Sequence, residues 1–157
     1  MPDRDLHIVL YQPEIPFNTG SIGRTCVAVG AKLWLVRPLG FRLDDRHVRR
    51  AGLDYWQHLD WEAVDDWDAL CRRLSEDRFW FFSKTAALCY SGVRFVRGDV
   101  LVFGSESRGL PKRLLAAHGD RCLRIPMHAQ ARSLNLAVSA AVIAFETRRQ
   151  WEGKDEG

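Results

Sequence analysis

The sequence is poor in the features that mark most metal, redox and membrane proteins. Its four cysteines, at 26, 71, 89 and 122, include no Cys-x-x-Cys pair, which argues against a zinc ribbon or a thioredoxin-like dithiol. Cys26 and Cys122 sit in apolar contexts and read as small buried hydrophobes. The histidines, at 7, 47, 58, 118 and 128, show no His-x-x-x-His spacing, so no metal site is expected. No apolar run approaches the ~18 residues of a membrane span. The opening Pro2-Asp3-Arg4-Asp5 is polar and unlike a secretory leader. A cytoplasmic protein with reduced thiols is therefore expected. Neither phosphate-cradling pattern, GxxxxGK[ST] or GxGxxG, is present. No serine has a nucleophile-elbow context, and no triad assembles. Charge of one sign is lacking too: 23 basic against 20 acidic residues leave +3. That permits a polyanionic partner without requiring one.

What is present is an ordinary core and a regular alternation. The chain has 157 residues, 46% of them hydrophobic, and one domain is expected from end to end. Short apolar runs read as strands: His7–Tyr11, Lys32–Val36, Arg78–Phe82, Val100–Phe103 and Cys122–Pro126. They are apolar on both faces, as parallel strands covered by helices must be. Helices are expected from Thr19 to Gly30, over about 63–75, after Pro111, and from Ser133 to Gln150. The class is α/β, a mainly parallel sheet flanked by helices. The last helix, "SLNLAVSAAVIAFETRRQ", is apolar nearly all round. It must be buried on every side. Either it threads the core or a second subunit covers its outer face, and a homodimer is the preferred reading. The closing "GKDEG" is expected to fray.

Four loops stand out. In "QPEIPFNTGSIGRTC" the helix is expected to start at Asn18 or Thr19, either serving as cap. Gly20 and Gly23 would permit close backbone approach. Arg24 follows in an otherwise apolar helix, either solvated or pointing back over the loop. In "VLVFGSESRGLP", Gly104 ends a strand, and Glu106 sits at the loop centre. A carboxylate there suits a ribose hydroxyl or an amine better than a phosphate. The plainer alternative is that Glu106 caps the next helix and pairs with Arg108. In "RIPMHAQARSLN", Ile125, Pro126 and Met127 are apolar in a loop, where exposure is unfavourable. They are expected to wall a pocket for something flat, such as a nucleobase. Ser133 reads as an N-cap, and Asn135 inside the first turn asks for a side-chain partner. Finally, "FRLDDRHVRRAGLDYW" crowds Arg42, Arg46, Arg49 and Arg50 beside Phe41, Tyr55 and Trp56. That is either an RNA footprint of phosphate contacts and stacking surfaces or a solvated helix face diluted by Asp44, Asp45 and Asp54. Carboxylate, guanidinium, amides and an apolar pocket suit transfer of an activated group better than hydrolysis.

Taken together, "NTGSIGRTC", "VLVFGSESRGLP" and "LRIPMHAQARSLNLAVSAAVIAFE" resemble, in order and spacing, the three motifs of the SPOUT class of RNA methyltransferases. The resemblance runs from His7 to about Gln150. "IVLYQPEIPFNTGSIGRTC" and "GFRLDDRHVRRAGLDYW" resemble its short branch of tRNA (cytidine/uridine-2'-O)-methyltransferases, which act at the wobble nucleotide. The resemblance implies a C-terminal deep trefoil knot over about 78–150, with S-adenosylmethionine bound in the knotted loops. It implies a homodimer through the knot and last helix, and the anticodon stem-loop of tRNA, leucine tRNAs first, as substrate. By the same resemblance Ile125, Met127 and Leu134 would hold the adenine, helped by the strand end at Phe81–Ser83. Gly104, Ile125 and Ser133 would bond the cofactor. Phe81 departs from the smaller aliphatic usual there, so backbone contacts are expected. Arg24 would be the catalytic arginine, steadying charge on the 2'-oxygen rather than acting as a base. Asn18 and Asn135 would orient ribose or Arg24, and Glu106 would fix the loop or the cofactor's amino group. Arg42, Arg46, Arg49 and Arg50 would contact RNA. Two readings remain open beside it: a 2'-O-methyltransferase for another tRNA or rRNA position, and an RNA-binding module without catalysis.

Overall fold

The structure is a computed structural model that describes residues 4–44, 46–51 and 55–155. Asp45, Asp54 and the tail from residue 156 lie outside the described residues. In chain order the elements are β1 (Leu6–Tyr11), α1 (Pro16–Val29), β2 (Lys32–Val36), α2 (Arg46–Ala51), β3 (Trp61–Val64), α3 (Trp67–Cys71), β4 (Phe79–Phe82), β5 (Leu88–Cys89), β6 (Asp99–Phe103), α4 (Lys112–Ala117), β7 (Cys122–Arg124) and α5 (Leu136–Asp155). The strands form one sheet in the order β3-β2-β1-β6-β4-β7-β5. Every pairing between them is parallel.

The sheet is covered on both faces because its strands alternate between two apolar layers. Leu6, Ile8 and Leu10 of β1 point to one side, with Leu33, Leu35, Leu101 and Leu123. Ile22 and Cys26 of α1 and Ala140, Ile143 and Ala144 of α5 cover them. Val9, Trp34, Phe79, Phe81 and Val102 point to the other side, under Leu70 of α3 and Leu114 of α4. Successive strand residues face opposite ways, so a strand buried on both faces must be apolar throughout. That is why four of the five expected strands appear within one residue of their expected bounds, while β7 ends at Arg124, two short of Pro126.

The differences have local causes. α1 begins at Pro16, not at Asn18 or Thr19, and Ile15 is its N-cap without a side-chain bond. Proline at the first helical position loses no hydrogen bond and already has helical φ. The helix expected over about 63–75 is two elements. Trp61–Val64 pairs with β2 as the edge strand, and Asp66 then caps α3, accepting from the Ala69 N–H at 2.8 Å. β5 was not expected at all. α5 starts at Leu136 rather than Ser133 and continues to Asp155, the last described residue.

α5 packs against α1. To reach it from β7, the segment 125–135 returns across the carboxyl ends of β4 and β6. α5 is not covered all round. Val138 and Phe145 on its outer side are 48% and 53% exposed, with Ala141 and Val142 half-buried between them. The described residues include no helix long and apolar enough to cross a membrane.

Candidate active site

A cleft of about 610 Å³ opens at the carboxyl ends of β4, β6 and β7. This is the end of a parallel sheet where the connecting loops converge and ligands usually bind. Asn18, Ser83, Gly104, Glu106, Ile125, Met127, Ser133, Leu134 and Asn135 all line it. Three loops that are far apart in sequence therefore meet at one place, as expected. The wall is apolar where Ile125, Met127 and Leu134 stand, and at its floor Phe82 stacks on Phe103 with centroids 4.7 Å apart.

Gly104 makes the middle loop possible. A Cβ there would lie 2.1 Å from the Gly109 carbonyl carbon and 2.3 Å from the Leu110 nitrogen. The chain folds back on itself at this point, and the Gly109 N–H donates to the Ser105 carbonyl at 2.9 Å. Gly109 itself has φ +67°, which suits glycine.

Glu106 neither caps the following helix nor pairs with Arg108. Its Oε1 accepts from the Glu14 N–H at 2.8 Å, and its Oε2 accepts from the Ile15 N–H at 2.8 Å and from Asn18 Nδ2 at 3.2 Å. α1 has no side-chain cap and no acid in its first turn. Glu106 accepts instead from the two backbone N–H groups that lead into the helix, those of Glu14 and the N-cap Ile15, and so sets a carboxylate near the positive end of its dipole. The favour is returned: Glu14 Oε1 accepts from Ser107 N–H at 2.9 Å and from Ser107 Oγ at 2.6 Å. These bonds from Ser107, aided by Ser105 and Arg108, hold the Glu14 carboxyl below its usual range. The two loops are thus clasped by a pair of carboxylates, Glu106 bound to the backbone of residues 14 and 15 and Glu14 bound to Ser107.

The network reaches the third loop. Asn135 Nδ2 donates to Asn18 Oδ1 at 3.1 Å, while Asn135 Oδ1 accepts from Ala137 N–H at 2.8 Å and Val138 N–H at 3.3 Å. Asn135 is therefore the cap of α5 and not a residue inside its first turn, and it has the partner its position required. Ser133 lies upstream of the helix, exposed at the cleft. Glu106, Asn18 and Asn135 form one chain of hydrogen bonds that fixes the three loops relative to each other.

Phe81 is fully buried, its ring stacked on His118 at 4.6 Å, so it offers no side chain to the cleft. Alternation along β4 forces this: Phe81 and Phe82 face opposite sides, and Phe82 lines the cleft. Arg24 does not line the cleft. It lies six positions beyond Asn18 in α1, roughly 240° round the helix axis and about 9 Å along it. Its exposed guanidinium sits over the Tyr55 ring, 4.6 Å from the centroid. Near it, α2 packs on α1, and Val48 of α2 is buried. Arg42, Arg46 and Arg50 are exposed there, with Arg42 paired to Asp44 at 3.3 Å. Arg49 lies in α2, and its side chain is outside the described residues. Among the described residues no group of His, Cys, Asp or Glu is placed to hold a metal ion. All four cysteines are unpaired, and Cys26 and Cys122 are buried as expected.

Sequence reasoning missed Glu14, Ser107 and Phe82. Glu14 had a signal, a carboxylate between two prolines next to a helix start without a cap.

A second cleft of about 410 Å³ lies at the amino ends of the strands, lined by Arg4, His7, Lys32, Trp34, Arg73 and Arg78 among others. Its cations are matched by carboxylates: Arg4 to Asp60 at 3.3 Å, Lys32 to Glu62 at 3.1 Å, Arg73 to Glu62, and Arg78 to Asp99 at 3.5 Å. Lys32 and Arg73 also lie over the Trp34 ring, and Trp34 Nε1 donates to His7 Nδ1 at 3.0 Å.

The SpoU rRNA Methylase family matches residues 5–145. The tRNA (cytidine(34)-2'-O)-methyltransferase of Saccharophagus degradans is 46% identical, over 92% of this chain and 94% of its own. That of Methylovorus glucosotrophus is 44% identical, over 91% and 94%. A solved structure concerned with 2-OH methylation of C/U34 on tRNA superposes with a TM-score of 0.91 at 47% identity, covering 96% of this chain and 98% of that one. The AdoMet-bound rRNA methyltransferase of Sinorhizobium meliloti superposes with a TM-score of 0.82 at 26% identity, over 94% of this chain and 57% of its own.

Proposed function

The chain belongs to the SpoU rRNA Methylase family, and on that premise we propose that it transfers a methyl group from S-adenosylmethionine to the ribose 2'-hydroxyl of nucleotide 34, cytidine or uridine, of tRNA. The observation that carries this reading is the convergence of three separate loops on one cleft, in a chain 46% identical over 92% of its length to a relative with that named activity. We infer further that it acts as one domain and a homodimer in the cytoplasm, on the anticodon stem-loop, with leucine tRNAs as the first substrates to test.

The cleft fits the cofactor by its donor set. Ile125, Met127 and Leu134 offer an apolar wall for an adenine, and Ser83, Ser133 and the backbone at Gly104 and Ile125 offer hydrogen-bonding groups. Phe82 adds its ring to the cleft lining, while Phe81 would contribute backbone alone. When bound, S-adenosylmethionine supplies an electrophilic methyl group on a sulfonium. The chain's part is orientation and charge. A ribose hydroxyl is a weak nucleophile while protonated, and alignment of the reacting atoms is worth several kcal/mol. Asn18 and Asn135, locked by Glu106, present amide groups at the cleft edge to orient the ribose. A guanidinium is a donor and not a base, so Arg24 is given no part in removing the proton. Its role is to grip a neighbouring phosphate and stabilise charge growing on the 2'-oxygen. An RNA phosphate oxygen then takes the proton.

A homodimer supports both halves of this account. The outer stripe of α5, Val138 to Phe145, is an apolar face that a second copy would cover, and the segment from about 78 to 150 is the part we read as knotted. Arg24 stands outside its own chain's cleft, so in the dimer we assign it to the cleft of the partner subunit.

The test is methyl transfer from labelled S-adenosylmethionine to tRNA from a strain lacking the enzyme, followed by nucleoside mapping. A 2'-O-methylated nucleotide at position 34 is expected. Methylation confined to rRNA or to another tRNA position would move the substrate, and a base-methylated product would refute the reaction.

A further inference from the structure

The mouth of the main cleft carries cations that neither the catalytic assignment nor the arginine-rich stretch uses. Lys84 follows β4, Arg108 lies in the loop after β6, and Lys112 opens α4; all three line the cleft and are exposed. Among the described residues none of them is in an ion pair. Arg108 acts on Glu14 through space, as a minor cause of its lowered pKa. The carboxylate inside the cleft, Glu106, is spent on the backbone N–H groups of residues 14 and 15 and on Asn18. The cleft mouth is therefore left with an excess of positive charge.

The opposite cleft is the contrast. Its four cations, Arg4, Lys32, Arg73 and Arg78, each meet a carboxylate. Unpaired cations are thus confined to one of the two clefts, the one where three loops meet. α4 adds a second sign. Its first turn begins Lys112-Arg113 and holds no acid, the reverse of what a helix dipole favours. Lys112 and Arg113 therefore gain nothing from the dipole of the helix they open.

We propose that Lys84, Arg108 and Lys112 form an anion-binding rim that grips backbone phosphates of the RNA on either side of the nucleotide entering the cleft. Three cations on three separate elements suit a repeating polyanion. The single carboxylate of the cofactor's amino-acid portion would need only one. The proposal rests on the methyltransferase reading above and adds a set of RNA contacts distinct from Arg42, Arg46, Arg49 and Arg50.

The test compares the full chain with the triple variant Lys84→Gln, Arg108→Gln, Lys112→Gln, using an unmodified tRNA transcript and S-adenosylhomocysteine as separate probes. The variant should bind tRNA about tenfold more weakly at 0.1 M salt. The slope of log K against log salt should shrink by about 2, since each phosphate contact contributes about 0.7–0.9. S-adenosylhomocysteine affinity should stay within about twofold. The charge-keeping set Lys84→Arg, Arg108→Lys, Lys112→Arg should restore both tRNA affinity and slope. Should the triple variant fail to fold, the single variants carry the test, each expected to remove about 0.7–0.9 of slope. An unchanged slope overturns the rim. Lost S-adenosylhomocysteine affinity with intact tRNA binding also overturns it, in favour of a cofactor-carboxylate site. A wild-type chain that binds tRNA but no S-adenosylhomocysteine would instead refute the methyltransferase reading.

Discussion

The two clefts lie at opposite ends of one sheet, share β6, and differ in how their polar groups are satisfied. At the amino ends, charges neutralise one another: Glu62 alone takes both Lys32 and Arg73. These bonds lower the pKa of Glu62, with Arg73 as the main cause, and raise that of Arg73. At the carboxyl ends, polar groups bind backbone instead. Glu106 and Glu14 hold two loops together, and cations stand at the mouth without carboxylate partners. One end is organised to stay closed on itself and the other to keep a shaped space open. Strand direction explains the choice of end, because only at the carboxyl ends do the 12–18, 104–111 and 125–135 loops meet.

The contrast is most easily broken with glycine. Gly104→Ala places a Cβ 2.1 Å from backbone, so the middle loop must move. It should cost about 3 kcal/mol or more in a denaturation experiment and abolish S-adenosylhomocysteine binding by calorimetry. At the other cleft, Gly98→Ala meets only the flexible Arg78 guanidinium, at 3.1 Å, though at a φ of +95°. It should cost about 1–3 kcal/mol in backbone strain and leave cofactor affinity unchanged. If both variants bind equally, the clefts do not divide labour as argued.

Next in size is Arg24→Ala. Its guanidinium lies outside the cofactor cleft, so methyl transfer should fall by about 10²–10³-fold while S-adenosylhomocysteine affinity holds within about twofold. Loss of both would place Arg24 in cofactor binding. Glu106→Gln follows. An amide can accept at only one atom, so one N–H at the start of α1 loses its partner, worth about 1–3 kcal/mol. Cofactor affinity should weaken with it, because the three loops are tied through this carboxylate.

Acid should loosen the two clefts by different routes. The Glu14 pKa is depressed by Ser107 above all. A depressed carboxylate contributes while it is charged and loses that contribution as pH falls through its folded-state value. S-adenosylhomocysteine affinity should therefore hold down to the ordinary carboxylate range and drop below it. Ser107→Ala should move the drop to higher pH, and Glu14→Gln should flatten that part of the profile. The smallest effect belongs to the amino-end cleft. Arg73→Gln removes a partly exposed pair and should change stability by no more than about 1 kcal/mol, with methyl transfer untouched.

Much of this was legible in the sequence for a physical reason. A strand buried on both faces is apolar throughout, so β1, β2, β4 and β6 announce themselves. β3 does not, because an edge strand with Glu62 in its middle reads like part of a helix. The site residues Asn18, Glu106, Ile125, Met127 and Asn135 were legible as polar or apolar groups out of place in their loops. Their links were not. That Glu106 binds the chain entering α1 rather than its own following helix is a contact across some 90 residues, which no local pattern encodes. Arg24 shows the same limit: helical geometry turns it away from Asn18, and the outer face of α5 is the reason to look to a second copy.

The most direct test of the division between the clefts is an amide-shift titration of the full chain with S-adenosylhomocysteine. Shifts should concentrate at residues 83–85, 104–109 and 125–135, with residues 4–7, 32–34 and 73–78 unmoved. Shifts centred on the amino-end cleft, or none at saturating ligand, would contradict the account.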